Sequence, residues 1–132
     1  MDTVSSWFKE NDAFYRSQAL RPVSAKAQVL WHYLMYRANG AFWQFPLRLS
    51  EHELSGGTQL SLSSVKRARG ELALAGYLCY EPGDRGHAAA YRLKSCVNPG
   101  QDMRGRGPAH CLPPQQLHGL SYEEVAAACG RL

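Results

Sequence analysis

The chain has 132 residues and a formal net charge of +4, from 15 lysines and arginines against 11 aspartates and glutamates. Its 45% hydrophobic and 20% charged content argue for a soluble globular domain and against wholesale disorder or a coiled-coil rod. No apolar run approaches the roughly 18 residues of a membrane span, and no cationic start leads into an apolar stretch. We therefore expect a cytoplasmic protein with no signal peptide and no membrane partner. The mild positive charge is compatible with a polyanionic partner.

Residues typical of metal sites and enzymes are scattered along the chain. The four cysteines lie too far apart for a metal knuckle or a redox C-x-x-C, so free thiols are expected at Cys79, Cys96, Cys111 and Cys129. The sequence contains no phosphate-binding glycine loop, no G-x-S-x-G and no H-E-x-x-H. We expect no metal, no cofactor and no enzymatic activity.

Two helices and an extended segment are predicted in the first part of the chain. Aromatic side chains recur at helical spacing in the first helix, at Trp7, Phe8, Phe14 and Tyr15. Ser24 is predicted to cap a second helix, Ala25 to about Ala38, with Asn39-Gly40 as its stop. Apolar residues around most of its circumference indicate the central core helix. The segment Phe42 to Leu49 is predicted to be extended, and Pro46 limits it to an edge strand.

Two further helices are predicted close together. Ser50 and Glu53 form a capping box that begins a third helix, which we expect Gly56-Gly57 to end or fray. Ser61 is predicted to cap a fourth helix, which runs from Leu62 to Ala75.

A β-hairpin is predicted after the fourth helix. Gly76 is expected to stop that helix in the left-handed conformation. Tyr77 to Tyr80 and Ala88 to Leu93 are the predicted strands, and the glycine- and proline-containing run 82–86 is the turn between them.

The composition changes near Ser95. Prolines and glycines concentrate in residues 96–120, which are predicted to form a flexible linker between a domain at 1–95 and a short carboxy-terminal helix at 121–132. Such a helix is marginal alone in water, so a protein partner for it is expected. Within the linker, the run from Arg104 to Gly107 reads Arg-Gly-Arg-Gly. That run is compatible with contact to RNA or DNA, although so short a run is more often plain linker.

The run from Leu49 to Leu78 resembles the winged helix-turn-helix core of bacterial and phage DNA-binding proteins. The matching positions are Leu60-Ser61, Ser64, Val65, Arg67, Ala68, Glu71, Leu72 and Gly76-Tyr77-Leu78. Upstream, Ala27 to Trp43 resembles the long helix of phage replisome-organiser and DnaD-like amino-terminal domains. The resemblance spans roughly Trp7 to Lys94 and implies an α+β, mainly α, fold. It departs from the pattern at Gly56-Gly57, where helix formers are usual, and at Gln59, which stands where glycine is usual.

The resemblance implies a recognition helix at 62–75 and a wing at 80–93 that bind double-stranded DNA. A helical wheel places one set of residues in the core, namely Leu62, Val65, Ala68 and Leu72. A second set points outward: Ser63, Lys66, Arg67, Gly70 and Leu74. Arg69 lies on the core-side flank and is expected to pack or pair. Between Ser61 and Lys94 six cations stand against three acids. The expected DNA contacts are Ser61, Ser63, Ser64, Lys66, Arg67, Gly70, Arg85, His87 and Arg92.

The charged residues of the fourth helix and of the hairpin also have interpretations that involve no DNA. Any helix can carry a solvated cationic face, and a charged hairpin tip can be an ordinary solubilising turn.

The aromatic residues of the first helix are expected to exceed what a small core covers, which favours a homodimer through Trp7, Phe8, Phe14 and Tyr15. The competing view is that this helix folds wholly onto Trp31 and Tyr33 within one chain.

The resemblance to replisome organisers implies a role in initiating or organising replication of a phage or mobile element. A transcriptional regulator would use the same contacts. A winged helix used for protein contact, such as a phage-encoded inhibitor or assembly adaptor, is the alternative from another class.

Overall fold

Four helices and a small three-stranded sheet make up the computed structural model, which describes residues 7–104. The elements are α1 (Trp7–Ser17), α2 (Ala25–Gly40), β1 (Leu47–Leu49), α3 (Glu51–Thr58), α4 (Leu62–Leu74), β2 (Leu78–Glu81) and β3 (Ala89–Leu93). The strands form an antiparallel sheet in the order β1-β3-β2. The fold is therefore α+β, as expected. The predicted helix at 121–132 and the linker from 105 onward lie outside the described residues.

Local capping signals set where α2, α3 and α4 begin. The Ser24 hydroxyl accepts from the Ala27 amide, and the Ser61 hydroxyl accepts from the Ser64 amide at 3.1 Å. Ser50 and Glu53 form the reciprocal capping box. Each interaction satisfies an amide that the first helical turn leaves without a partner. The predicted starts of these three helices are confirmed.

The end of α3 differs from the prediction. The helix continues through Gly56 and Gly57 to Thr58. Gly57 lies against the ring of Tyr33, so that a Cβ at this position would collide with the ring. Its glycine therefore allows α2 and α3 to approach closely and does not end the helix. Gln59 follows in the left-handed conformation at φ 63°, and its side-chain amide donates to the Gly56 carbonyl at 2.6 Å.

The extended segment before α3 is shorter than predicted. Phe42 and Trp43 take positive φ values of 56° and 59°, in a turn that follows α2. Strand pairing starts only at Leu47, which lies opposite Tyr91 of β3. Because β1 pairs with β3 alone, it is an edge strand, in agreement with the limit that Pro46 imposes.

The core forms around α2. Leu30, Trp31, Leu34 and Met35 are fully buried, which confirms α2 as the central helix. Phe14 of α1 stacks on Trp31 with ring centroids 3.9 Å apart. From α4, Val65, Ala68 and Leu72 enter the core as predicted, whereas Leu62 is 38% exposed. Leu62 occupies the first turn at the margin of the buried stripe, which explains why that prediction is wrong.

The packed structure continues past the predicted boundary at Ser95. The buried carboxylate of Glu10 accepts hydrogen bonds from the Ser95 hydroxyl at 2.6 Å and from the Cys96 amide at 2.8 Å. The Met103 amide donates to the Leu93 carbonyl, and the Met103 side chain is buried. Residues 96–103, placed in the linker by composition, therefore belong to the domain. Their backbone turns back onto β3, which composition alone does not reveal.

None of the helices in residues 7–104 combines the length and the apolar character that crossing a membrane requires.

Candidate nucleic-acid interface

The outward face of α4 carries a continuous stripe of exposed side chains. Ser63, Lys66, Arg67 and Gly70 are all exposed, and Leu74 is 92% exposed. This spacing follows the helical repeat, so the residues share one side of the helix, opposite the buried Val65, Ala68 and Leu72. The predicted division of α4 into inner and outer faces is confirmed, except at Leu62. We call these outward residues the α4 stripe.

The amino-terminal end of α4 carries a group of hydroxyls. The Ser61 hydroxyl lies 3.2 Å from that of Ser63 and 3.0 Å from that of Ser64. Lys26 of α2 donates from Nζ to the Ser64 hydroxyl at 3.3 Å. Ser61 and Ser64 are therefore engaged in capping and in contact with Lys26, while Ser63 projects into solvent. Sequence reasoning missed Lys26 because the packing of α2 on α4 alone brings it here.

The carboxylate of Glu71 is bound away from the α4 stripe. Its Oε1 accepts from the Ser24 amide at 2.9 Å, and its Oε2 accepts from the Ser24 hydroxyl at 2.7 Å. The only carboxylate of α4 thus holds the beginning of α2. The contact fixes α4 against the core and leaves the outward face with cations alone.

Arg69 connects α4 to the sheet and to α3. Its guanidinium donates to the Tyr91 hydroxyl at 3.0 Å and to Glu51 Oε2 at 3.2 Å. The same group lies over the Tyr80 ring, 4.6 Å from its centroid. The prediction that Arg69 packs or pairs is confirmed. Because Tyr80 and Tyr91 belong to the two strands of the hairpin, Arg69 sets the position of α4 relative to the β2–β3 loop.

The β2–β3 loop presents both signs of charge. Arg85 and His87 are exposed, and so are Glu81 and Asp84. The His87 amide donates to the Asp84 carbonyl at 2.9 Å and closes the turn. The loop lies beside the start of α3, since one cleft of about 380 Å³ is lined by residues of both segments.

Arg92 does not join the loop. Its side chain alternates with the buried Tyr91 and Leu93 and therefore projects from the opposite, outer face of the sheet. There its guanidinium pairs with Asp102 at 3.1 Å. The pleat of β3 directs this side chain away from α4, and the expected contact of Arg92 with DNA stays a prediction.

The aromatic residues of α1 divide between core and surface. Phe14 is fully buried against Trp31 and Tyr77, so it cannot form part of an interface between chains. Trp7 is half-buried against the same core. Phe8 and Tyr15 remain about half exposed. The Tyr15 hydroxyl lies 2.7 Å from Nε2 of His32, whose pKa is lowered by burial.

Within residues 7–104, no three histidine, cysteine, aspartate or glutamate side chains gather where they could hold a metal ion. Comparisons of the chain with protein-family models, with curated proteins and with solved structures find no match.

Proposed function

We propose that this protein is a winged helix-turn-helix protein that binds double-stranded DNA through α4 and the β2–β3 loop. The order of elements supports this proposal, since β1, α3, α4, β2 and β3 follow α2 in turn and β1 pairs with β3. Three residues separate α3 from α4, a turn length typical of the helix-turn-helix motif. In this interpretation α4 is the recognition helix and the β2–β3 loop is the wing.

The distribution of unpartnered positive charge carries the proposal. Almost every lysine and arginine between residues 7 and 104 makes a hydrogen bond or an ion pair within the chain. The exceptions in this part of the chain are Lys66, Arg67 and Arg85. Two of them lie on the α4 stripe and the third lies at the tip of the β2–β3 loop. Cations without an internal partner are the ones that a phosphate backbone can engage at no internal cost.

The chemistry of the stripe suits a DNA groove. Ser63 offers a short hydroxyl near the start of the helix, where side chains reach base edges. Lys66 and Arg67 stand one turn further and can bind phosphates, or guanine in the case of arginine. Gly70 has no atom within 4 Å of its Cβ position, so a sugar–phosphate strand can approach the backbone there. Arg85 would position the duplex without reading its sequence.

The biological role follows from the resemblance of Ala27 to Trp43 to replisome organisers. We propose that the protein initiates or organises replication of a phage or mobile element in the cytoplasm. A transcriptional regulator would make the same DNA contacts, and the genomic position of its binding sites would distinguish the two roles.

One observation favours a protein-binding function instead. Leu74, on the α4 stripe, is 92% exposed, and Leu20 is 88% exposed. The residues that follow them, Arg21 and Ala75, are joined by a hydrogen bond of 2.9 Å, so both leucines flank one contact. Exposed apolar side chains of this size often mark protein interfaces. A winged helix that binds a protein partner would use them and would show little salt-dependent affinity for DNA.

We also propose a homodimer, which would use the half-buried Trp7 together with Phe8 and Tyr15 of α1. The homodimer would suit paired DNA half-sites. Sedimentation at micromolar concentration tests it, and a monomeric intact chain would exclude it. The proposed protein partner of the helix at 121–132 is a separate matter, since that segment lies beyond the described residues.

The decisive experiment is charge reversal on the α4 stripe. We expect K66E/R67E to abolish duplex binding in fluorescence anisotropy, because two cations that face phosphates become anions. The matched control is K9E/R16E, which changes the net charge equally on the exposed side of α1. Both variants should keep the circular dichroism spectrum of the parent. Equal loss of binding in the two folded variants would remove α4 as the DNA-binding element.

A second variant tests the loop. R85A should weaken specific and random duplexes alike and lower the salt dependence of binding by about one unit in the log–log slope. A change in sequence discrimination with an unchanged slope would mean that Arg85 reads bases.

A further inference from the structure

A cleft of about 570 Å³ lies on the outer side of the sheet, beyond the residues discussed for duplex binding. Its walls include Phe45, Arg92, Lys94, Asp102 and Arg104. The side chains of Tyr91 and Leu93 point into the core, on the side where Arg69 joins α4 to β3. Arg92 alternates with them and faces the other way. The cleft is therefore separated from the α4 stripe by the thickness of the sheet.

Positive charge dominates this cleft. Asp102 Oδ2 lies 3.1 Å from Arg92 and Oδ1 lies 2.9 Å from Lys94, so one carboxylate serves two cations. Arg104 adds a third cation on the same wall. The Arg92 side chain is 49% exposed, which leaves part of its guanidinium available to a ligand. Three cations against one acid give the walls a net charge of +2.

The cationic surface extends along the sheet. Arg48 of β1 lies opposite Ala90, and a smaller groove of about 190 Å³, whose lining also includes the exposed Glu81, brings Arg48 and Arg92 together on this outer face. The half-buried ring of Phe45 forms an apolar part of the cleft wall.

We propose that this cleft binds single-stranded nucleic acid, independently of duplex binding by α4. An open cleft lined by cations and by an aromatic ring suits a single strand, whose phosphates and unstacked bases can both contact it. The assignment goes beyond the proposed function, because it names a second ligand and a second face.

The test measures the affinity of the full chain for a fluorescein-labelled oligothymidylate by anisotropy at low salt. R104E should weaken binding by about tenfold, whereas R16E, the same charge change on α1, should alter it less than about twofold. D102N should strengthen binding by about three- to fivefold, because it releases Arg92 and Lys94 from their carboxylate. A purely structural role for Asp102 predicts the opposite or no change.

Three results would overturn the proposal. The first is no binding of the oligothymidylate by the parent chain. The second is an equal loss of affinity in R104E and R16E, which would mean that the net charge of the protein alone explains the effect. The third is a folded D102N variant that binds no better than the parent. K66E/R67E separates the two sites, since it should lose the duplex and retain the single strand. If the parent chain does not bind duplex DNA while the oligothymidylate results are as expected, the single-strand proposal is supported and the function proposed for α4 is refuted.

Discussion

Gly56 and Gly57 are neighbours in α3, and they should respond in opposite ways to the same substitution. An alanine in a helix interior is more favourable than glycine by about 1 kcal/mol, because it loses less backbone entropy. At Gly56 nothing lies within 4 Å of the added Cβ. G56A should therefore stabilise the domain by about 0.5–1 kcal/mol.

At Gly57 the gain in helix propensity is opposed by a collision. The added methyl group would meet the Tyr33 ring, whose hydroxyl also accepts a hydrogen bond from Arg37 at 3.0 Å. Moving the ring aside costs about 1–3 kcal/mol, as in other overpacked sites. G57A should consequently be less stable than G56A by about 1–3 kcal/mol, a difference of several degrees in Tm for a domain of this size.

Thermal and urea unfolding of the two variants, each alone and combined with Y33A, measures this difference. In the Y33A background the obstacle is absent, so G56A and G57A should become equally stabilising. If G57A matches G56A while Tyr33 is intact, the ring does not press on Gly57 in solution, and the reason given for the length of α3 is wrong.

Three further outcomes are expected. Burial, with the nearby Glu10 carboxylate, raises the pKa of the Cys96 thiol to about 11. Iodoacetamide at pH 8 should therefore alkylate the exposed Cys79 far faster than Cys96 in the folded protein, and both alike in urea. Peptide mass spectrometry measures the labelling, and equal labelling in the folded protein would contradict the burial of Cys96. Burial opposes ionisation of Asp102, but hydrogen bonds from Lys94 and Arg92 outweigh it and lower its pKa below the ordinary 3.8, so its contribution to stability is present above that value and is lost as the pH falls through the lowered pKa. The urea midpoints of the parent and D102N should thus converge between pH 6 and pH 2, and a constant gap would contradict this. F14A should destabilise the domain by about 3–5 kcal/mol in urea unfolding, because Phe14 is fully buried and stacked on Trp31. A loss below about 1 kcal/mol would mean that Phe14 is not buried in solution.

The features that the sequence predicts well are those that depend on neighbours along the chain. Ser24, Ser50 and Ser61 cap helices through amides three residues away, so their pattern is visible without a fold. The inner and outer faces of α4 follow from the helical repeat for the same reason.

The features that sequence reasoning misses depend on contacts between distant segments. Lys26 reaches Ser64 only because α2 packs on α4, and Arg92 pairs with Asp102 only because the chain after β3 turns back onto the sheet. The local pattern predicts that Gly57 ends α3, because the ring of Tyr33, 24 positions earlier, forms no part of that pattern. Within the candidate site, the stripe was thus predictable and the outer cleft was not.

The hydrogen bonds to Glu10 also define how the chain can be divided. A fragment cut at the change of composition near Ser95 would keep the carboxylate inside the protein and remove the Cys96 amide that donates to it. A buried carboxylate that loses one of its two hydrogen-bond donors destabilises a domain. We expect such a fragment to unfold at lower urea than one that extends through Met103. The hydrogen bonds from Ser95 and Cys96 thus tie the residues that follow β3 to α1, so a force that pulls on these residues would act on α1 directly.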